Sequence, residues 1–126
     1  MTRKIAYPLV DVFAGPGGLG EGFASLTRGA KDACFRSAIS IEQDEFAHRT
    51  LLLRHFLKAF KDDGLTEDYY RYLKDDITLG ALYDLHPNEK AHADRSAIRI
   101  SLGTDNHKRV HNLISDRLQK QKRWAL

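Results

Sequence analysis

The feature that most constrains this chain is a cluster of glycines placed between a predicted strand and a predicted helix. Five of the nine glycines fall within residues 15–22. Residues 5–13 are branched and aromatic, as in a strand, and Pro8, which cannot donate to a ladder, places the central pairing at residues 9–13. A helix is predicted over residues 19–26, with Gly29 near its end. Glycines allow a sharp turn and let a ligand approach the main chain, so this unit is a candidate binding loop.

The middle of the chain predicts a second strand and a second helix. Residues 35–41 alternate as a strand, and Asp44 is placed to cap the helix that follows. That helix has apolar residues at helical spacing, namely Phe46, Leu53, Leu57 and Phe60. A turn is predicted at residues 62–64. Strand, glycine loop, helix, strand and helix in this order predict an α/β fold built on a parallel sheet.

The last part of the chain is predicted to be mainly helical. Residues 66–85 are tyrosine-rich and helical, residues 86–96 are polar and poorly periodic, and a helical insertion is therefore expected around residues 65–96. Residues 97–102 fit either a short strand or the end of a helix. Thr104 is predicted to cap a final helix with a single apolar stripe. The stripe consists of Val110, Leu113, Ile114 and Leu118.

Composition excludes several classes of protein. The 126 residues have the length of one domain, and no apolar run exceeds three residues, so we expect no membrane partner and a cytoplasmic location. A single cysteine excludes an internal disulfide framework. His107 and His111 have the spacing of a metal half-site, but two basic residues between them argue against a metal. The net charge of +3 arises entirely in residues 108–126.

Glu42 indicates that the ligand contains a nucleoside. It closes the second predicted strand, 22 residues after Gly20, where an acid of nucleotide-binding folds accepts hydrogen bonds from ribose hydroxyls. A dinucleotide and S-adenosylmethionine both suit this arrangement. Asp11, just before the loop, is costly to bury without a partner and suits a cationic ligand better than a pyrophosphate. The residues therefore favour S-adenosylmethionine, and a dinucleotide stays as the alternative.

The residues from Asp11 to Phe23, with the sequence Asp-Val-Phe-Ala-Gly-Pro-Gly-Gly-Leu-Gly-Glu-Gly-Phe, resemble the first motif of the cytosine-5 DNA methyltransferases. Residues 40–44, Ser-Ile-Glu-Gln-Asp, are similar to the second motif. The resemblance covers about residues 8–60. It implies a Rossmann-like S-adenosylmethionine-dependent methyltransferase fold and double-stranded DNA as the partner of the full-length enzyme. It also implies the cofactor-binding residues, which are Phe13, Ala14, Gly15, Pro16, Gly17, Gly18, Leu19, Glu42 and Gln43.

Two features fit the family's pattern incompletely. Gln43 lies where many members place an apolar or aromatic residue against the adenine. The acid that lies near the adenine amino group in the family would be supplied either by Asp76 or by the region of residues 97–102, and both alternatives stay open.

The family's catalytic motif does not occur in this sequence. Members of the family attack the cytosine ring with the cysteine of a Pro-Cys-Gln motif, on a base flipped out of the helix. Cys34, between Ala33 and Phe35, is not in such a motif, so no catalytic residue is predicted in this chain. We expect residues 1–126 to be the N-terminal part of the catalytic domain, ending near a further strand at residues 122–126 and able to associate through the cut sheet edge. The alternatives are the first half of a dinucleotide-dependent oxidoreductase and a non-enzymatic binding module.

Overall fold

A computed structural model describes residues 6–28, 32–60, 66–119 and 126. Within these ranges the elements follow one another as β1 (Tyr7–Val12), α1 (Gly18–Ala24), β2 (Thr27–Arg28), β3 (Asp32–Ala33), β4 (Phe35–Glu42), α2 (Glu45–Lys58), α3 (Glu67–Leu73), α4 (Leu79–Leu85), α5 (Pro87–Ser96), β5 (Ala97–Arg99) and α6 (His107–Leu118). In these parts of the chain, no helix has the length and apolar character needed to cross a membrane. The expectations at Gly29, residues 62–64 and residues 122–125 lie outside the described residues.

The main sheet has three parallel strands in the order β1-β4-β5. The predicted α/β class and parallel sheet are confirmed. Strand β5 also settles the alternative at residues 97–102 in favour of a strand, which pairs with the end of β4 from Ser40 to Glu42. A separate antiparallel pair, β2–β3, was not predicted from the sequence, because strands of two residues carry no periodic signal.

Pro8 lies within the ladder, directly before the residues predicted to form the central pairing, 9–13. Strand β1 starts at Tyr7, and Pro8 is aligned with Arg36. The Tyr7 N–H donates to the carbonyl of Cys34, and alternate residues of a strand bond to the same neighbour. The nitrogen of Pro8 therefore points to the outer edge of β1, away from β4, where its missing proton disrupts no bond of this sheet.

The two helices nearest the glycines are close to their predicted extents. Helix α1 ends at Ala24 and is followed by Ser25, so it is shorter than the predicted 19–26. The cap of α2 is confirmed, because the Asp44 carboxylate accepts a hydrogen bond of 2.8 Å from the Ala47 N–H. Phe46 contradicts the predicted apolar face, since it is 71% exposed in the first turn of α2.

The region of residues 66–96 is helical, but it is divided into three helices. The predicted single helix over 66–85 is interrupted between α3 and α4, where Asp75 has a φ of 60° that no helix accommodates. Thr66 and Thr78 cap the two halves through their hydroxyl groups. Residues 87–96, which are polar and poorly periodic in sequence, form α5, which begins with a proline at its first position. The final helix begins after Asn106 and not after Thr104.

One face of the sheet is apolar and is covered by α6. Val10, Ile39 and Ile41 are fully buried there, and α6 adds Val110 and Leu118. The other two stripe residues, Leu113 and Ile114, are partly buried against the same cluster, so the predicted apolar stripe is confirmed. Successive strand residues face opposite sides, which places Asp11 and Ser40 on the other face, beneath α1 and α2.

A histidine joins α2 to this second face. Nδ1 of His55 lies 2.7 Å from the Ser96 hydroxyl, and Nε2 lies 3.1 Å from the Ser40 hydroxyl. The Ser96 hydroxyl donates to the His92 carbonyl at 3.0 Å, so it accepts from Nδ1, and Nε2 accepts from Ser40. Burial, followed by the charges of His92 and Lys58, lowers the pKa of His55 to about 4. The neutral imidazole thus bridges α2, β4 and the end of α5.

We expect His55 to make folding pH-dependent. Its pKa is lowered from 6.5 to about 4 on folding, so the unfolded chain binds the extra proton between these values and stability falls as the pH drops from 6.5 to 4. At 1.36 kcal/mol per pKa unit, this effect lowers the free energy of unfolding by about 3 kcal/mol at pH 4. Urea unfolding at several pH values measures it, and His55→Gln is expected to flatten the slope in this window. The exposed His107 provides the control variant, His107→Gln. If stability depended on pH equally in His55→Gln and His107→Gln, His55 would not be the group responsible for the loss of stability.

Candidate functional site

The chain leaves β1 through a loop with three left-handed residues, and we call residues 13–17 the glycine loop. Phe13, Gly15 and Gly17 have φ values of 56°, 58° and 96°. A positive φ costs little for glycine and is uncommon for a bulky residue such as Phe13. Such strain is found mostly where the surrounding structure holds a residue at a functional site.

Gly17 is required for a second reason besides its φ. It is the N-cap of α1, and a Cβ there would lie 3.0 Å from Cδ1 of the buried Leu51 and 3.2 Å from Cδ of Arg54. The loop is thereby held against α2 by close contact of main chain with side chain. At Gly15, where a Cβ would meet nothing within 4 Å, only the positive φ requires glycine.

Glu42, at the end of β4, is bonded to the glycine loop. Its Oε2 accepts a hydrogen bond of 2.7 Å from the Gly15 N–H. Its Oε1 accepts from the N–H groups of Gln43 and Asp44, both at 2.9 Å. These bonds, led by the one from Asp44, lower the pKa of Glu42, which is therefore ionised. A carboxylate has about four lone-pair sites, so one acceptor site remains for a ligand hydroxyl.

Two large apolar side chains of the predicted site point into solvent. Phe13 and Leu19 are each 70% exposed, at the carboxyl ends of the strands where ligands bind in open α/β sheets. Phe46, which the sequence placed on a buried face, is exposed as well and lies under the guanidinium of Arg49, 5.6 Å from the ring centre. Ala14 behaves differently, because its side chain is buried against Leu51 and its carbonyl accepts from Gly17.

Arg99 joins the site, and the sequence did not predict it. It is the last residue of β5, aligned with Glu42 across the sheet, and its Nε donates to the Gln43 carbonyl at 3.2 Å. Gln43 itself is exposed. Arg99 was missed because the sequence left residues 97–102 open between a strand and the end of a helix. A residue at the carboxyl end of a third strand would otherwise have been a candidate.

Asp11 lies beneath α1. Its Oδ2 is buried and forms no hydrogen bond within the described ranges, and a Cβ on Gly20 would lie only 2.9 Å from it. Burial, and then the charge of Glu42, raises the pKa of Asp11. The carboxyl group lines a cavity of about 660 Å³ between α1, α2 and the sheet, whose wall also includes Ser40 and His55. The same wall carries the basic side chains of Arg36, Arg54 and Lys58. The orphaned Asp11 oxygen itself would suit a cationic group of a ligand.

The predicted residues divide into those at the surface of the site and those that support it. Gly15, Glu42 and Gln43 are brought together by hydrogen bonds, and Pro16 and Gly18 are exposed beside them. Asp76 lies in the turn between α3 and α4, where its N–H donates to the Arg71 carbonyl, and is not at the end of a sheet strand. Residues 97–102 contain no acid. Neither Asp76 nor this region therefore supplies an acid at the end of β5 to contact an adenine.

No metal site accompanies this arrangement in the ranges that the structure describes, since no three His, Cys, Asp or Glu side chains lie close enough together to hold an ion.

Comparison of the chain with models of protein families, with curated proteins and with solved structures found no match.

Replacing Gly17 should destabilise the fold, while replacing a neighbouring glycine should not. Gly17→Ala places a Cβ at a φ of 96° and 3.0 Å from Leu51, which should cost about 1–3 kcal/mol. Gly22→Ala lies within α1, where a Cβ would meet nothing within 4 Å, and should stabilise by up to about 1 kcal/mol. Urea unfolding compares the two variants, and equal effects would contradict the loop geometry.

Proposed function

We propose that this chain is the N-terminal, cofactor-binding part of a DNA cytosine-5 methyltransferase, which transfers a methyl group from S-adenosylmethionine to C5 of cytosine in DNA. The observation that carries the proposal is the hydrogen bond between the Gly15 N–H and Glu42. It joins the two segments that resemble the family's motifs at the carboxyl ends of neighbouring parallel strands. The chain has no catalytic residue of its own in this proposal, and DNA is bound by the full-length enzyme in the cytoplasm.

Each part of the cofactor has a residue of suitable chemistry. Glu42 keeps an acceptor site for a ribose hydroxyl, and Phe13 offers an exposed aromatic face for an adenine. Asp11 provides a buried carboxyl oxygen for the ammonium group. Bound in this way, S-adenosylmethionine supplies an electrophilic methyl group on a sulfonium. The residues of this chain would orient it and exclude water from one side of it.

The same site suits a dinucleotide less well. The Gly15 N–H, at the position where such a loop contacts a pyrophosphate, already donates to a carboxylate. Two acids, Asp11 and Glu42, flank the loop and would repel a pyrophosphate. A dinucleotide-dependent oxidoreductase is therefore the second candidate.

A non-enzymatic module would be favoured by a natural stop codon after Leu126, whereas a reading frame that continues to Pro-Cys-Gln would favour the enzyme.

The proposal also makes the observed sheet part of a larger one. The order β1-β4-β5 corresponds to the first three strands of a doubly wound sheet, in which the fourth strand lies beside the first. The outer edge of β1 would then receive that strand. Pro8 has no N–H to offer on that edge, so pairing there would depend on the residues that follow it.

Glu42→Gln should weaken binding of S-adenosylhomocysteine by ten-fold or more. Glutamine keeps the shape and one carbonyl acceptor for the backbone N–H groups but loses the charge and the second acceptor oxygen. Glu45→Gln, in the exposed first turn of α2, is the matched control and should bind as the wild type does. Calorimetric titration measures both. Equal affinity of the two variants, or no binding by the wild type, would refute the proposed role.

Asp11→Asn should separate stability from binding. The pKa of Asp11 is raised on folding, so its charge destabilises the ligand-free protein increasingly as the pH rises through its unfolded and then its folded pKa. The amide should therefore raise the melting temperature at pH 7 and weaken S-adenosylhomocysteine binding, because the ammonium loses its counter-charge. Titration with NADH serves as the comparison, and an amide variant that gains affinity for NADH alone would favour the oxidoreductase.

A further inference from the structure

A second polar cavity lies at the opposite end of the sheet from the glycine loop. Its volume is about 210 Å³, and three arginines from three separate elements line it: Arg36 near the start of β4, Arg95 near the end of α5, and Arg117 in the last turn of α6. His92, Ser37 and Gln119 contribute the other polar groups that matter here. We call this cavity the arginine pocket.

The guanidinium groups of the arginine pocket are largely free to bind a ligand. Over the ranges the structure describes, the side chains of Arg36 and Arg95 make no hydrogen bond or ion pair, and both residues are exposed. Arg117 is held in place, since its Nε donates to the Arg95 carbonyl at 3.0 Å and one amino group pairs with Asp116. Its side chain is only 17% exposed, and its other amino group has no partner in the described part of the chain.

A buried hydroxyl in the same cavity also lacks a partner. Ser37 Oγ is inaccessible to solvent and forms no hydrogen bond with the described residues. An orphaned hydroxyl of this kind costs free energy unless a ligand or water satisfies it. Among the described residues, no acidic side chain lines the cavity, although Asp94 and Asp116 belong to the adjoining helices and are paired with Lys90 and Arg117.

We propose that the arginine pocket binds a phosphate group. Guanidinium groups bind phosphate oxygens through paired, charge-assisted hydrogen bonds, and a serine hydroxyl can donate to a further oxygen. Pockets for drug-sized ligands are usually about 300–1,000 Å³, so a cavity of about 210 Å³ suits a phosphate group without a nucleoside. The arginine pocket adjoins the cavity of about 660 Å³ beneath α1 and α2, because Arg36, Ser37 and His92 belong to both walls. The phosphate proposal does not depend on the proposed methyltransferase function.

The phosphate group could come from free phosphate or from a nucleic-acid backbone. The arginines converge on one cavity and do not form a stripe, so a single phosphate is bound in either case. Two probes distinguish these sources, namely inorganic phosphate and a short DNA duplex in phosphate-free buffer. Binding to duplex should also fall with salt concentration, with a slope set by the number of phosphates neutralised.

Arg36→Ala and Arg95→Ala test the site directly. Each variant should lose at least ten-fold in affinity for the probe that binds the wild type, measured by calorimetry for phosphate and by fluorescence anisotropy for duplex. Arg71→Ala, on the exposed surface of α3 and away from the arginine pocket, is the matched control and should retain wild-type affinity. Arg36→Lys keeps the charge but not the paired donors, so it should fall between wild type and Arg36→Ala.

Melting temperatures distinguish binding from a structural role. Without phosphate, Arg36→Ala should melt no lower than the wild type, because it removes one of three like charges that lack a ligand. Phosphate should raise the melting temperature of the wild type and of Arg71→Ala, but not of Arg36→Ala.

Loss of phosphate binding alone in the variants would identify free phosphate as the source, and loss of duplex binding alone would identify the nucleic-acid backbone. Either result, or both, supports the proposal. It is overturned if neither probe binds the wild type, or if the Arg36 and Arg95 variants bind as Arg71→Ala does.

Discussion

The hydrogen bonds accepted by the Glu42 carboxylate are the interaction on which the candidate site depends. They join the main chain of the glycine loop to the junction between β4 and α2, so two segments separated by 27 residues form one surface. Charge-assisted bonds of this kind contribute about 1.5–3 kcal/mol each, enough to hold a loop that contains a strained Phe13. The same bonds keep Glu42 ionised and orient its carboxylate, so the ribose hydroxyl of the proposed cofactor would meet an acceptor that is already in place.

The two faces of the sheet contribute differently to stability. The face under α6 is a conventional apolar core around Ile39 and Ile41. The face under α1 and α2 carries Asp11 and Ser40. The Ser40 hydroxyl is bonded to His55 of α2, whereas Oδ2 of Asp11 forms no hydrogen bond with the described residues. A buried acid without a partner costs stability. In the proposed function, the ammonium group of the cofactor would supply that partner, so binding would offset part of this cost.

Local sequence signals predicted the elements that position the site. The pairing of strands and the interruption of helices were seen only in the structure. The glycine cluster, the Asp44 cap and the α6 stripe were predictable, because each depends on residues a few positions apart. The division between α3 and α4 was not, since it results from the left-handed Asp75, a type of residue found in helices as well. Strand β5 is three residues long and is defined by its pairing with β4. The arginine pocket combines positions 36, 95 and 117, which only the fold brings together.

The net charge of +3 conceals a separation of charge along β4. The carboxyl end of the sheet holds Asp11 and Glu42, with Arg99 as the cation that contacts the Gln43 carbonyl. The amino end holds the arginine pocket, where Arg117 pairs with Asp116 and where no acid of the described residues belongs to the lining. The same strand therefore carries an acid at one end and Arg36 at the other, with the buried segment around Ile39 between them. Under the two proposals, an anion would bind at the amino end and a nucleoside at the carboxyl end, and Arg36, Ser37 and His92 belong to the walls of both cavities that lie between these ends.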